Sequence, residues 1–236
     1  MCTVTVVPFA GHGFRMMCNR DERWSRPIAS VPAVERAGRL DAIFPRDPLH
    51  GGTWIGANSA GLAVAVLNRY DDEPRVDGIP ALHSRGAIAV ELLRCGRLDE
   101  VVESMHGLAA AHYAPFRLVA LHNARAVIVS SNGRAIDVVT RSLASPLVLT
   151  SSALGDARVE PLRRALFEDL VGCRPEQWLS GQSQFHRHQW PDRPEVSVLM
   201  ARQDAGTVSR STIDVSARGV RFHYEPLLVI ADARAA

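Results

Sequence analysis

The chain has 236 residues, of which 47% are apolar, and its formal net charge is +2. This size and apolar content predict one globular domain over residues 1–236, and so small a charge argues against a nucleic-acid-binding surface. No apolar stretch reaches the ~18 residues of a membrane span, and the apolar start lacks the basic segment and cleavage site of a signal peptide, so we expect a cytoplasmic protein. All 27 basic residues are Arg, which together with abundant Ala is typical of GC-rich DNA and favours a bacterial source.

The N-terminal residues predict a hairpin that carries a thiol. Cys2 precedes an apolar strand over Thr3–Phe9, a turn at Gly11-His12-Gly13 and a second strand over Phe14–Cys18. The hairpin would return the tetrapeptide Asn19-Arg20-Asp21-Glu22 to the neighbourhood of Cys2.

This arrangement suggests a nucleophile with its own base. If Met1 is removed, Cys2 carries a thiol and an α-amine with ordinary pKa values of about 8.5 and about 7.7–8.0, so the amine can accept the thiol proton near neutral pH. Arg20 can favour the thiolate and Asp21 can hold the amine. The alternative interpretation is that Cys2 is an ordinary small residue and that the tetrapeptide is a charged turn.

A second motif, Gly51-Gly52-Thr53-Trp54-Ile55-Gly56 with Gly61-Leu62, completes a family pattern. Together with Met1-Cys2 and the tetrapeptide, it resembles the NRDE family, whose eukaryotic members are called transport and Golgi organisation protein two. The resemblance is densest over residues 2–86. It implies an α+β fold, a four-layer αββα sandwich of the N-terminal nucleophile hydrolase type, similar in plan to choloylglycine hydrolases and acid ceramidase. Roles in haem trafficking and acyl-lipid handling have been suggested for the family.

Prolines dominate the segment between the two motifs. Pro27, Pro32, Pro45 and Pro48 confine any strands there to short edge pieces, which predicts a loop region over the site. Trp24 and Phe44 are candidates to line a pocket, with plain packing as the alternative. The residues expected to bind substrate are Asn19, Glu22, Trp24, Trp54 and Ser151.

An apolar strand over Leu62–Leu67 ends at Asn68. Choloylglycine hydrolases have a similar Gly-Leu strand that ends in an Asn donating to the oxyanion, so the resemblance implies that role for Asn68. The alternative is that Asn68 only begins a turn over residues 68–72.

Three amphipathic helices follow from periodicity and caps. The first begins after Ser84 and ends at Gly96, the second runs from Leu98 to Gly107, and the third extends from a cap at Asp156 to Gly172. The third is expected to face a sheet with Val159, Leu162, Leu166 and Leu170, and Pro175–Ser180 forms a further short helix.

The remaining apolar runs predict strands in two stacked, mainly antiparallel sheets. They cover Phe116–Leu121, Ala126–Ser130, Ala135–Thr140, Leu147–Thr150, Val196–Met200, Thr207–Val215 and Val220–Glu225. Asn132-Gly133 is a strong hairpin turn signal, and the last strand alternates with Val220, Phe222 and Tyr224 facing inward.

Three positions test the resemblance to choloylglycine hydrolases. Where those enzymes place a catalytic Asn after a Leu-Thr pair, this chain has Ser151, which puts amide hydrolysis in doubt because a hydroxyl donates more weakly to an oxyanion. Where they place an Arg three residues before the Asp, it has Cys18; either Arg20 compensates from the neighbouring turn, or the site is built for another task. Arg210 is the candidate for their late catalytic Arg.

No metal or cofactor is predicted. The four cysteines have neither zinc-site nor haem-attachment spacing. His186 and His188 lie in a basic-aromatic cluster and can bind a metal only with ligands from elsewhere, so the preferred interpretation is a loop at the pocket rim.

Two functions remain open. The first is an N-terminal-cysteine hydrolase of a non-peptide C–N bond in a small or acyl-bearing amide, with the catalytic residues Cys2, Arg20, Asp21, Asn68 and Arg210. The second is a non-catalytic carrier that uses the same pocket for haem or an acyl-lipid. Either partner is a small molecule, and the sequence leaves the oligomeric state open.

Overall fold

The computed structural model describes residues 2–9, 11–70, 82–172 and 174–227. The strands are β1 (Cys2–Phe9), β2 (Gly13–Arg23), β3 (Ala33–Ala37), β4 (Leu40–Phe44), β5 (Ile55–Asn58), β6 (Ala63–Asn68), β7 (Phe116–His122), β8 (Arg125–Ser131), β9 (Ile136–Ser142), β10 (Leu147–Thr150), β11 (Ala205–Ser216) and β12 (Gly219–Pro226). The helices are α1 (Arg85–Leu92), α2 (Leu98–His106), α3 (Asp156–Val171) and α4 (Trp178–Phe185), and single 3-10 turns lie at Ala110–His112 and Pro175–Gln177.

The strands form two antiparallel sheets. One has the order β10-β1-β2-β11-β12 and the other the order β3-β4-β5-β6-β7-β8-β9. Helices α1 and α2 pack on the seven-stranded sheet, whereas α3 and α4 pack on β10 and β1 of the five-stranded sheet. The αββα sandwich implied by the family resemblance is confirmed.

The apolar core is divided among the three interfaces of the sandwich. One cluster fills the space between the sheets, a second lies under α1 and α2, and a smaller third lies under α3 and α4. Fewer apolar side chains serve the third interface, and several buried polar residues complete it.

The N-terminal hairpin forms as predicted, but its second strand is longer. Gly11 and His12 take positive φ angles of 75° and 61° in the turn, and β2 continues past Cys18 to Arg23. The tetrapeptide is therefore part of a strand and not a turn. Pairing with β1 on one side and β11 on the other supplies its backbone hydrogen bonds, and strand alternation sends its side chains to opposite faces.

The predicted sheet-facing side of the third helix is confirmed at Val159 but is displaced by one position along the rest of the helix. The residues that α3 buries are Asp156, Val159, Arg163, Phe167 and Val171, whereas Leu162, Leu166 and Leu170 are half-buried. Gly155, not Asp156, occupies the N-cap position. An apolar pattern cannot identify this side because a buried Arg, satisfied by hydrogen bonds, lies at its centre.

The strand predicted over Val196–Met200 is also wrong, because this segment consists of turns and bends. The carbonyl groups of Val196 and Ser197 accept hydrogen bonds from the Arg163 side chain instead of from a neighbouring strand. The inward alternation predicted for the last strand is confirmed, since Val220, Phe222 and Tyr224 of β12 pack on the core between the sheets.

The proline-rich segment contains short edge strands as predicted, because β3 and β4 form one edge of the seven-stranded sheet. Phe44 is not a pocket residue: it is 2% exposed in the core under α1 and α2. Met1, Cys173 and residues 71–72 of the alternative turn lie outside the described residues.

Candidate active site

A row of side chains crosses three strands on the inner face of the five-stranded sheet. Cys2 lies opposite Arg20 of β2, and Arg20 lies opposite Ser209 of β11. Residues directly opposite in antiparallel strands point to the same face, and Cys2 belongs to the core between the sheets. The nucleophile candidate, the tetrapeptide Arg and a serine that the sequence analysis did not single out therefore share one surface.

A second thiol lies beside the first. Cys18 occupies the next row, diagonal to Cys2, and both are buried. The Cys18 thiol hydrogen-bonds to Cys2 and lowers the pKa of Cys2, with help from Arg20 and against the opposing effects of burial and the Asp21 charge. Burial and the same hydrogen bond raise the pKa of Cys18 well above its ordinary value. Of the two, Cys2 therefore ionises more readily, and Cys18 is the hydrogen-bond donor.

Ser151 lies at the main chain of Cys2. The Cys2 amide N–H donates to Ser151 Oγ at 3.1 Å, and the Ser151 N–H donates to the Cys2 carbonyl at 2.9 Å. Once Met1 is removed, the Cys2 nitrogen would be the α-amine, so Ser151 is in place to hold the base. This contact places the Ser151 hydroxyl on the amine side of Cys2.

Arg20 is enclosed by partners. Its side chain is 6% exposed, and Nη2 lies 3.1 Å from Asp47 Oδ2 and 3.4 Å from Glu22 Oε2. Its guanidinium also lies 4.4 Å from the centre of the Trp54 ring, a cation–π contact. Burial opposes ionisation of Asp47, but hydrogen bonds from Arg26 and the Leu49 amide keep the pKa of this carboxyl below its ordinary value. Sequence reasoning missed Asp47, whose Asp-Pro context reads as an ordinary turn.

Asp21 lies on the opposite face, toward α3. Its Oδ1 accepts a 2.6 Å hydrogen bond from Thr207 Oγ1, and Oδ2 lies 3.9 Å from Arg163 Nη2. Burial raises the pKa of Asp21, and the Arg163 charge and the Thr207 hydrogen bond oppose that rise. The Asp21 charge still acts on Cys2, whose pKa it raises.

Arg163 is a buried charge that sequence reasoning did not find. It is 0% exposed and donates to Thr3 Oγ1 at 2.6 Å, to Thr150 Oγ1 at 2.8 Å and to two carbonyl groups of the 196–197 turn. One side chain of α3 thus joins β1 to β10 directly behind the Cys2–Ser151 contact. Only the interruption of an apolar helical face by Arg could have signalled it.

His186 is an interior residue and not part of a rim loop, so that interpretation is corrected. It is 0% exposed at the end of α4, with Nε2 at 2.7 Å from Thr5 Oγ1 and Nδ1 at 3.0 Å from Asn19 Oδ1. Asn19 is equally enclosed and donates to the carbonyls of His186 and Val198. Burial, and after it the charges of Arg210 and Arg163, lower the pKa of His186 to about 3, so the ring is neutral.

Arg210 lies on this same helix-facing side, opposite Asn19 in the register. Its Nη2 forms a 2.6 Å ion pair with Glu225, and Nη1 donates to the His186 carbonyl at 3.3 Å. The contacts connect Arg210 to β12 and α4, so its catalytic role stays a prediction.

Asn68 reaches the site through a chain of hydrogen bonds. Its Nδ2 donates to the Tyr70 hydroxyl at 2.6 Å, and the Tyr70 N–H donates to Asp156 Oδ2. Asp156 Oδ1 in turn accepts from the N–H of Ser152, the neighbour of Ser151. Among the described residues no hydrogen bond joins Asn68 to Cys2 directly, and its oxyanion role also stays a prediction.

Of the other expected substrate-binding residues, Trp24 is the most exposed, at 39%. Its ring covers Gly206, where a Cβ would lie only 2.1 Å from the ring, and Nε1 donates to the Arg202 carbonyl. Trp54 is 6% exposed in the core between the sheets.

A cavity of about 570 Å³ lies away from these residues, between β8, β10 and α3. None of the predicted site residues lines it, so cavity size and site chemistry point to different places, and the chemistry at Cys2 is the stronger indication. In the described part of the chain no three His, Cys, Asp or Glu side chains cluster as a metal site would need, and no helix has the length and apolarity to cross a membrane.

Comparisons with known proteins identify the family and the fold. The sequence profile described as Transport and Golgi organisation 2 matches residues 1–182. The chain belongs to this family. A search of curated proteins found no significant match.

Solved structures of N-terminal nucleophile hydrolases share the fold of this family member. Penicillin V acylase from Agrobacterium tumefaciens is 14% identical with a TM-score of 0.55, over 96% of this chain and 86% of that one. An N-acylethanolamine-hydrolyzing acid amidase ortholog from Caenorhabditis elegans is 14% identical with a TM-score of 0.57, over 90% and 92%. A mutant conjugated bile acid hydrolase from Clostridium perfringens is 12% identical with a TM-score of 0.50, over 96% and 92%. At these identities the likeness shows the fold alone.

Proposed function

We propose that the protein is an N-terminal-cysteine amidohydrolase that cleaves a linear, non-peptide amide with an acyl chain. One observation carries the proposal: Cys2 has its thiol beside Cys18 and Arg20 and its backbone nitrogen against Ser151. Nucleophile and base would then belong to one residue, each with its own partner. That the solved structures of similar fold include amide-cleaving enzymes is consistent with this chemistry.

In the first half of the reaction, the Cys2 thiolate attacks the amide carbon and a C–S bond forms. The protonated α-amine, positioned by Ser151 and by the charge of Asp21, gives its proton to the departing nitrogen as the C–N bond breaks. The products are a free amine and a thioester on Cys2. Water, deprotonated by the same amine, then hydrolyses the thioester to a carboxylic acid and restores the thiol.

The negative charge on the attacked carbonyl oxygen needs hydrogen-bond donors. We assign Asn68 to this role, with release of its hydrogen bond to the Tyr70 hydroxyl when substrate enters. Asn68→Ala should lower kcat about 100- to 1,000-fold with little change in thermal stability. An unchanged kcat in this variant would remove Asn68 from the mechanism.

The second candidate is a carrier that binds an acyl-lipid or haem at the same place without turnover. It is favoured by the enclosure of the reactive groups, because Cys2 is 5% exposed and the Arg20 charge is balanced by Asp47 and Glu22. A carrier needs the pocket but not the free amine.

The test compares protein with and without Met1 on N-lauroyl amides. The hydrolase predicts turnover only after Met1 removal, complete loss in Cys2→Ala and a steep fall in Asp21→Asn. It also predicts alkylation of Cys2 by iodoacetamide below pH ~8.5, ahead of Cys95, because the pKa of Cys2 is lowered whereas burial raises that of Cys95. Three results together would exclude the hydrolase and favour the carrier. The native protein would retain Met1, Cys2 would be no more reactive than Cys95, and lipid binding would be unchanged in Cys2→Ala.

A further inference from the structure

Three buried polar atoms near Cys2 have no hydrogen-bond partner. They are Nε1 of Trp54 and the Oγ atoms of Ser209 and Ser211, and they make up three of the five such side-chain atoms in the described part of the chain. These residues are 6%, 1% and 0% exposed. Leaving a buried donor or acceptor unsatisfied costs stability, so such atoms usually indicate a missing ligand or water.

The register and one ring contact place all three on the surface that carries the nucleophile. Ser209 extends the row of Cys2 and Arg20, while Ser211 lies opposite Cys18 in the next row. Trp54 approaches from the other sheet and stacks on Arg20, at 4.4 Å. We call Trp54, Ser209 and Ser211 the polar strip.

We infer that the polar strip recognises a neutral oxygen group on the amine side of the substrate, such as a hydroxyl, next to the amide that Cys2 attacks. The inference rests on the proposed function and adds the substrate class. The three side chains are specificity-determining residues, and they are not required for the attack itself.

The chemistry of the strip defines this group. The indole N–H can only donate, so its partner must be an acceptor, and the two serine hydroxyls can both donate and accept. The nearby charges cancel, since Arg20 and Arg26 face Asp47 and Glu22, so no ionic head group is called for. A neutral oxygen satisfies the strip without requiring a counter-charge.

The dimensions also fit. Ser209 lies two strand spacings from Cys2, about 10 Å. Three lengths together cover that span: an attack distance of about 3.3 Å, the length of an amide bearing a hydroxyethyl group, and one hydrogen bond of about 2.8 Å. Cys2, Arg20 and Trp54 retain 5–6% exposure while Cys18 and Ser211 have none, so access is from the side of the Cys2–Arg20 row.

The experiment uses two ligands that differ only in the oxygen: N-lauroyl ethanolamine and N-lauroyl propylamine. Protein lacking Met1 should hydrolyse the hydroxyl-bearing amide with a kcat/KM at least about 100-fold higher. Ser209→Ala and Ser211→Ala should each reduce this ratio of kcat/KM values at least tenfold, and Trp54→Phe should reduce it in the same direction. The matched controls Trp178→Phe and Ser183→Ala, whose polar atoms are already bonded near α4, should keep the full preference.

A stability measurement separates binding from a structural role. Removing an unsatisfied hydroxyl should not weaken the unliganded fold, so Ser209→Ala and Ser211→Ala should raise Tm by up to about 2–4 °C. If a hydroxyl instead stabilises the unliganded fold, its removal should lower Tm. A lower Tm in both variants, or equal preference for the two amides in the unmodified protein, would overturn the inference.

Calorimetry with the Cys2→Ala protein keeps the inference apart from the proposed function. If no amide is hydrolysed but this protein binds the ethanolamide at least tenfold tighter than the propylamide, the proposed hydrolase fails and the polar strip stands. If both amides bind equally, the three atoms are only hydrated and the inference fails, whether or not turnover is seen.

Discussion

The two helix layers of the sandwich are built on different principles. The core under α1 and α2 is mainly apolar, although buried Asn58 donates to the carbonyl groups of Leu93 and Cys95 after the end of α1. The core under α3 and α4 instead includes four buried polar side chains, Arg163, Asn19, Gln182 and His186. Apolar packing is tolerant because any side chain of suitable volume fills the space. A buried polar network is not, because each donor requires its own acceptor.

The difference follows the position of the site. The polar layer lies behind β1 and β2, whose opposite face carries Cys2 and Arg20, and it holds these strands through Thr3, Thr5 and Asn19. The apolar layer lies behind strands that carry no nucleophile. We interpret the polar network as the part of the fold that fixes the geometry of the site, and the apolar layer as support.

The largest expected effect tests the charge at the centre of the polar layer. Arg163→Met removes the buried charge that lies 3.9 Å from Asp21 and the donor to four oxygen atoms, so it should lower the free energy of unfolding by about 3–5 kcal/mol in urea titrations. The neighbouring Arg164→Met loses only a half-exposed ion pair with Glu160 and should cost less than about 1 kcal/mol. Equal costs for the two variants would contradict the view that the network is structural.

A matched change in the apolar layer should be nearly as costly but different in kind. Leu92 of α1 is 1% exposed, and Leu92→Ala should cost about 3 kcal/mol through lost burial and the cavity left behind. No ionisable group is involved, so this cost should be the same at pH 5 and pH 7. A pH-dependent cost would show that the two layers are coupled.

The polar layer, by contrast, should weaken in acid through His186. Asn19 Nδ2 donates to two carbonyl groups, so Asn19 Oδ1 accepts the ring proton on His186 Nδ1, and Nε2 of the neutral ring accepts from Thr5 Oγ1. A second ring proton, on Nε2, would meet the hydroxyl proton of Thr5 and break this hydrogen bond. The folded pKa of about 3 lies below the unfolded value of 6.5, so the unfolded chain binds more protons between these pH values. Stability is therefore lost as pH falls from about 6.5 toward 3.

The measurement is the free energy of unfolding at pH 7 and pH 5. His186 should contribute a loss of about 2 kcal/mol over this interval, and His186→Gln should be free of it. The raised pKa of Asp21 acts with the opposite sign, because its contribution is lost as pH rises, but it is common to both proteins and cancels in the difference. Identical pH dependence in the two proteins would mean that folding does not shift the pKa of His186.

The sequence predicts the apolar layer better than the polar one. Leu98, Val101 and Met105 are buried on α2 as periodicity indicates, because burial of apolar groups leaves a repeating pattern. In α3 the same reasoning chose Leu162 and missed Arg163, since a pattern that scores apolarity treats a buried Arg as exposed.

The same limit applies to the site. The hairpin that carries Cys2 and the tetrapeptide can be read from a turn signal and alternation, and the family pattern marks Trp54. No local sequence pattern marks Asp47, Ser209 or Ser211. Their importance depends on the register of distant strands and on whether their polar atoms have a hydrogen-bond or ion-pair partner. Hydrogen-bond satisfaction is a property of the assembled fold.

The smallest expected effect concerns the start of the apolar layer, where sequence and structure agree in detail. Ser84 caps α1 by accepting a hydrogen bond from the Gly86 N–H at 3.3 Å, and Ser84→Ala should cost about 1 kcal/mol because that N–H loses its partner. Ser104→Ala in α2 is the matched control: its exposed hydroxyl donates back to the Glu100 carbonyl, which already lies in a helix, and contacts the Cys95 thiol, so the change should cost less than Ser84→Ala. Urea titrations at pH 5 and pH 7 should give the same value for each variant, since no charge is involved. A Ser84→Ala cost as large as that of Arg163→Met would mean that the α1 layer depends on single polar contacts as well, and the distinction between the two layers would fail.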